Sequence, residues 1–103
     1  MPVSAVNTFR LRSGVTAEQF ERFSADLDRP TCLTFDEVLD FEVYLAEDGA
    51  VVEIMTVSSW PEWERVRDSS PELKPVVERF DELAEPGSVA TLLTRKSPLP
   101  QEI

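Results

Sequence analysis

The chain of 103 residues has no histidine and only one cysteine. Without imidazole there is no Ser-His or Cys-His nucleophile, no histidine acid–base catalysis and no His-ligated zinc or haem. A single cysteine cannot close an internal disulfide, which fits a reducing compartment, and a cytoplasmic location is expected. Long apolar runs are missing too. Nothing approaches the ~18 residues a membrane span needs, and Arg10 and Arg12 interrupt the stretch a signal peptide would keep apolar. Bases are scarce, 10 against 20 acids, for a net charge of −10. Such a surface repels duplex nucleic acid and anionic lipid, so neither a nucleic-acid nor a membrane partner is expected. What remains is 42% hydrophobic and 29% charged, the composition of one soluble globular domain with one modest core.

Residues 3–11 read as a strand ended by Ser13-Gly14. Thr16 with Gln19 forms a capping box, and Phe20, Phe23 and Leu27 at helical spacing predict a helix over 17–27. Asp28-Arg29-Pro30 should end it, leaving 29–37 as a loop with Cys32, Leu33 and Phe35 turned inward. Over 38–46, Leu39, Phe41, Val43 and Leu45 alternate with Val38, Asp40, Glu42 and Tyr44, the signature of a half-buried strand. Asp48-Gly49 predicts a two-residue hairpin turn into a strand from Ala50 to about Ser58. That turn sets Leu45 opposite Val52, Val43 opposite Ile54 and Phe41 opposite Thr56. On the other face it sets Tyr44 opposite Glu53, Glu42 opposite Met55 and Asp40 opposite Val57.

Ser59 with Glu62 is a second capping box, with Pro61 in the first turn. Trp60, Trp63 and Val66 share a face of a short helix ending near Asp68. Ser70-Pro71 starts another helix, carrying Leu73, Val76, Val77, Phe80, Leu83 and Ala84. Pro75 predicts a kink or a loose first turn there. Glu85-Pro86-Gly87 stops the helix and 88–95 form the last strand. The domain is expected over 1–96, with an extended tail over 97–103.

This order predicts an α+β, ferredoxin-like split βαβ fold, a four-stranded antiparallel sheet with helices on one face. The outer strands carry apolar residues on both faces: Val3, Ala5, Phe9 and Leu11 against Val6, and Val89 and Leu93 against Ala90 and Leu92. The helices cover one face. A second copy of the sheet is the economical cover for the other, so a homodimer is expected.

Two groups of residues carry a family resemblance over about residues 3–95. One is the first strand with Asn7, then Gly14 and helix 17–27. The other is Met55-Thr56-Val57-Ser58-Ser59-Trp60-Pro61-Glu62-Trp63 leading into Ser70-Pro71-Glu72-Leu73-Lys74. In both, the chain resembles the dimeric α/β-barrel proteins, which include antibiotic-biosynthesis-type monooxygenases, haem-degrading monooxygenases, stress-responsive barrel proteins and RedY-like pigment-biosynthesis proteins. The loop 28–38 looks closer to the RedY-like branch than to the haem-degrading one. The haem-degrading pattern asks for a strand-one Asn, a Trp and a His. Asn7 matches, but the Trp position falls near Val66 or Arg67 and the His position near Val77 or Glu78. The resemblance therefore implies no haem and no other cofactor. It implies a small-molecule cavity protein, either a cofactor-independent oxygenase, isomerase or cyclase acting on an aromatic or polyketide-like compound, or a non-catalytic ligand-binding or accessory protein.

Asp40, Glu42 and Tyr44 share one strand face, with Glu53 opposite Tyr44 in the expected pairing. In a cavity, carboxylates there would have raised pKa values suited to proton transfer to a phenol or enol. On a solvated face they are ordinary surface acids. Asn7 is a candidate to orient a carbonyl or dioxygen, or else a strand residue bonded to its neighbour. Trp60 and Trp63 read as core or as a stacking wall for a flat aromatic or hydrophobic ligand. Arg95 is a candidate anion clamp or a strand-end surface charge. No cationic run near Cys32 activates its thiol. No residue is assigned as a metal ligand.

Overall fold

A computed structural model describes residues 1–100; the last part of the expected tail, 101–103, lies outside the described residues. Four strands, β1 (Val3–Phe9), β2 (Val38–Leu45), β3 (Val51–Val57) and β4 (Ala90–Thr94), form one antiparallel sheet. Its order is β2-β3-β1-β4, the ferredoxin-like arrangement. The helices are α1 (Ala17–Phe23), α2 (Arg29–Cys32), α3 (Trp60–Ser69) and α4 (Lys74–Leu83), all packed on one sheet face.

The α1 capping box forms as expected: Thr16 accepts from the Gln19 backbone, and the Gln19 side chain accepts from the Thr16 N–H. At α3 only half of the second box is made, from the Glu62 N–H to Ser59 at 3.5 Å, because the Glu62 carboxylate turns to Arg65 instead. The loose start expected at Pro75 is a short 3-10 turn over Pro71–Leu73, which feeds α4.

The hairpin differs from expectation by one residue. The Ala46 N–H donates to the Ala50 carbonyl at 2.8 Å and the Gly49 N–H to Ala46 at 3.0 Å, so the loop holds Glu47, Asp48 and Gly49. Gly49 has φ 91°, the left-handed residue that closes a three-residue hairpin. Arg10 clamps the turn, donating to the Asp48 carbonyl at 2.7 Å and its carboxylate at 2.9 Å. The pairing is therefore Leu45 with Val51, Val43 with Glu53 and Phe41 with Met55. A slip of one residue exchanges faces, so Glu53 shares a face with Phe41 and not with Tyr44. The sequence could not fix this, because β3 is apolar at almost every position and matches β2 in either register.

A register shift between Val38 and Asp40 turns Val38 inward and leaves Leu39 exposed. Leu45 is exposed as well. The helix-packing row of β2 is thus Val38, Phe41 and a half-buried Val43, rather than the expected Leu39, Phe41, Val43 and Leu45.

The chain also stays helical past Asp28-Arg29-Pro30. Ser24–Asp28 form one widened π turn, in which the Arg29 N–H donates to the Ser24 carbonyl, and α2 runs on to Cys32. Proline lacks a donor and clashes with the carbonyl four residues back. A wide turn just before Pro30 moves that carbonyl aside, so the helix bends around the proline.

Within the core, Phe9 of β1 meets Phe20 of α1 and Phe80 of α4, edge to face at 5.3 and 4.9 Å. Such aromatic pairs add ~0.5–1.5 kcal/mol each beyond their buried area. They anchor the two layers at one end of the sheet.

Candidate functional site

Between the sheet and the helices lies a cavity of about 310 Å³. The sheet floor contributes Asn7, Phe41, Glu53 and Met55; α3 contributes Trp60, Trp63 and Arg67; the 3-10 turn and α4 add Leu73, Val76, Val77 and Phe80. Val77 and Thr91 are both exposed and line the cavity where it meets solvent. Most of this wall is apolar or aromatic, and its few polar groups converge, as in a small-molecule site.

Two carboxyls dominate the polar side. Register places Glu53 between Val43 of β2 and Asn7 of β1, and it is 4% exposed. The π turn brings Asp28 to the same place, 6% exposed. The two carboxyls lie within reach of each other, and a hydrogen bond between them requires a proton on one. Burial, and then the neighbouring Asp28 charge, push Glu53 up to about 8. Burial also raises Asp28, opposed by bonds from Cys32 and Glu53 and by the Arg29 guanidinium. The pair therefore retains a proton at neutral pH. Glu53 Oε2 is buried and finds no donor among the described residues.

Cys32, one turn beyond Asp28, donates its thiol to Asp28 Oδ1 at 3.5 Å. Burial and the Asp28 charge raise the thiol pKa, so it stays protonated and is no nucleophile. Asn7 is oriented from β4: the Thr91 hydroxyl donates to Asn7 Oδ1 at 2.6 Å. With Oδ1 engaged in this way, the NH2 is left to donate to a ligand. Arg67 is ion-paired to Asp68 and, at 3.9 Å, to Glu64.

Of the residues singled out in the sequence, Asn7, Glu53, Trp60 and Trp63 meet in this cavity. Trp63 is also true core, packed on Phe35 at 5.9 Å. Asp40, Glu42 and Tyr44 lie on the opposite, helix-free face, exposed, with the Tyr44 hydroxyl donating to Glu42 at 2.8 Å. They do not line the cavity. Arg95 follows β4, is exposed and does not line it either. Sequence reasoning missed Asp28, Arg67 and Thr91; Cys32, expected to turn inward, does so and reaches this cavity. The available signal was the i, i+4 spacing of Asp28 and Cys32, hidden because Pro30 reads as a helix end.

A family model for the REDY-like protein HapK matches residues 3–96. No curated protein matches the chain significantly. Among solved structures, HapK from Hahella chejuensis superimposes with a TM-score of 0.80 at 20% identity, covering 98% of each chain. SnoaB, a cofactor-independent oxygenase from Streptomyces nogalater, gives 0.78 at 17% identity, covering 97% of this chain and 98% of its own. At such identities the structures establish a shared fold, and the family match establishes kinship.

Proposed function

The chain belongs to the REDY-like HapK family, and from that premise we propose that it is a small-molecule enzyme that transfers a proton on an aromatic or polyketide-like ligand in the helix-side cavity. Oxygenation, isomerisation and cyclisation of such compounds can each begin with loss of a proton from a phenol or enol, and this chain's groups suit that step. The observation that carries the reading is the Asp28–Glu53 carboxyl pair, buried together against an aromatic wall.

The pair works as a relay. The ligand gives its proton to Glu53 while Glu53 passes its own proton to Asp28. Reversal returns the proton to another ligand atom, so the pair ends as it began. Burial raises both carboxyls, which makes the singly protonated pair a stronger base than a solvated carboxylate. Asn7 donates to a ligand carbonyl, where negative charge builds as the proton leaves. Trp60 and Trp63 hold the ring plane. The family kinship and the fold shared with SnoaB, itself a cofactor-independent oxygenase, support chemistry that needs no added cofactor.

The proposed working unit is a homodimer. The helix-free face carries Val6, Val52, Ile54 and Leu92 in register across three strands, with Leu92 65% exposed. A second sheet would cover it.

The test is a panel of enolisable naphthols and tricyclic ketones. Binding is read by Trp fluorescence and deuterium exchange at the enolisable carbon by NMR, in the wild type and in Glu53→Gln. Retained binding with exchange reduced roughly 10²–10⁴-fold is the expected result. Unchanged exchange in the variant, or binding with no exchange in the wild type, removes the acid–base role and leaves a ligand-binding protein.

A further inference from the structure

The Asp28–Glu53 pair is asymmetric, and the asymmetry has a visible source. Asp28 Oδ1 accepts the Cys32 thiol at 3.5 Å, whereas Glu53 Oε2 is buried with no donor among the described residues. A carboxylate that accepts a second donor is the better anion; one left without donors holds a proton more tightly. We propose that Cys32 is a positioning residue for the acid–base pair: its thiol keeps Asp28 as the anion and holds the shared proton on Glu53.

The surroundings agree with this assignment. Cys32 reaches Asp28 because both lie on the continuous helix that the π turn carries past Pro30, one turn apart. Among the described residues the only guanidinium acting on Asp28 is Arg29, from the same helix, itself bonded to Ser24 at 3.0 Å. From the sheet, Glu53 is flanked by Val43 and Asn7, neither of which ionises. From α3, Arg67 lines the cavity but is already engaged by Asp68 and Glu64. No other charge favours the anion on Glu53 over the anion on Asp28 among the described residues.

The proposal rests on the reading of the pair as acid and base, but its test needs no substrate. Side-chain carboxyl carbons are isotope-labelled, and Glu53 and Asp28 are assigned from Glu53→Gln and Asp28→Asn spectra. In the wild type the titration step near pH 8 should fall mostly on Glu53, with Asp28 moving little. In Cys32→Ala the thiol's bias is gone and a larger part of the step moves to Asp28, with Arg29 still leaving the greater share on Glu53. Cys32→Ser keeps a donor and should restore the wild-type pattern, which also guards against Cys32→Ala failing to fold. A wild-type step carried by Asp28, or the same amplitudes in Cys32→Ala and Cys32→Ser, overturns the proposal. If the titration behaves as described and no ligand exchanges protons, the role of Cys32 stands and the enzymatic reading fails.

Discussion

Glu53, the proposed proton acceptor, leaves a mark on stability as well. Its folded pKa is raised from an ordinary 4.5 to about 8 by burial and by Asp28. Between those values the folded state binds more protons than the unfolded chain, so stability must fall as pH rises through that window. Below about 4.5 the contribution is complete; above about 8 it is lost. Thermal unfolding from pH 5 to 8 should show a falling melting temperature in the wild type and a flatter profile in Glu53→Gln. A profile that rises over this range, or one identical in both proteins, contradicts a buried neutral Glu53. Asp48 and Glu62 have lowered pKa values, from the Ala50 N–H and Arg65 respectively. Their support is lost only as pH falls below the usual carboxylate range, and both are exposed, so they do not mask the effect.

At the scale of elements, two local devices carry measurable weight. Thr16 closes a full capping box on α1, so Thr16→Ala should cost about 1 kcal/mol in chemical denaturation. The corresponding Ser59→Ala change should cost less, since only one long bond is made there. Gly49 sits at φ 91° in the three-residue hairpin, with an added Cβ meeting the Arg10 guanidinium at 3.8 Å. The space is adequate and the backbone is not, so Gly49→Ala should cost about 1 kcal/mol. A neutral result would mean the loop can take another form, and with it another register. The hairpin and the π turn are the two elements that place Glu53 and Asp28. In both, the sequence contains the right residues, but their effect depends on a count of one: one more residue in the loop, one more in the helical turn.

The whole molecule presents one sheet face to the helices and leaves the other bare. Val52, Ile54 and Leu92 on the bare face are flanked by Ser4, Thr8 and Thr56. Light scattering at micromolar concentration should return about 23 kDa, twice the 11.6 kDa chain. Leu92→Asp should halve that mass while leaving the fold intact by circular dichroism, because a buried unpaired charge is costly only where the face is covered. A wild-type monomer, or a Leu92→Asp dimer, rules out sheet-to-sheet pairing. Phe9 and Leu93, equally apolar in the sequence, are poor probes: Phe9 is core and Leu93 shares the helix-side face with Ala5.

Local periodicity was enough to determine the order of strands and helices, the α+β architecture and the two helix starts. Each of these depends on residues within a few positions of one another. Composition alone removed histidine chemistry. The candidate site was only half legible. Asn7, Trp60 and Trp63 could be singled out as types, and Glu53 was chosen for the wrong face. Glu53 and Asp28 lie far apart in the chain, and neither carries a pattern that points to the other. Their meeting required the sheet to choose between two registers that β3, apolar along nearly its whole length, accepts equally well. It also required a helix to continue past a proline. Those choices are made by long-range packing on Phe9, Phe20 and Phe80 and by the Arg10 clamp on Asp48. Tertiary structure therefore decided which acids are buried together, because desolvation and proximity are properties of the folded chain.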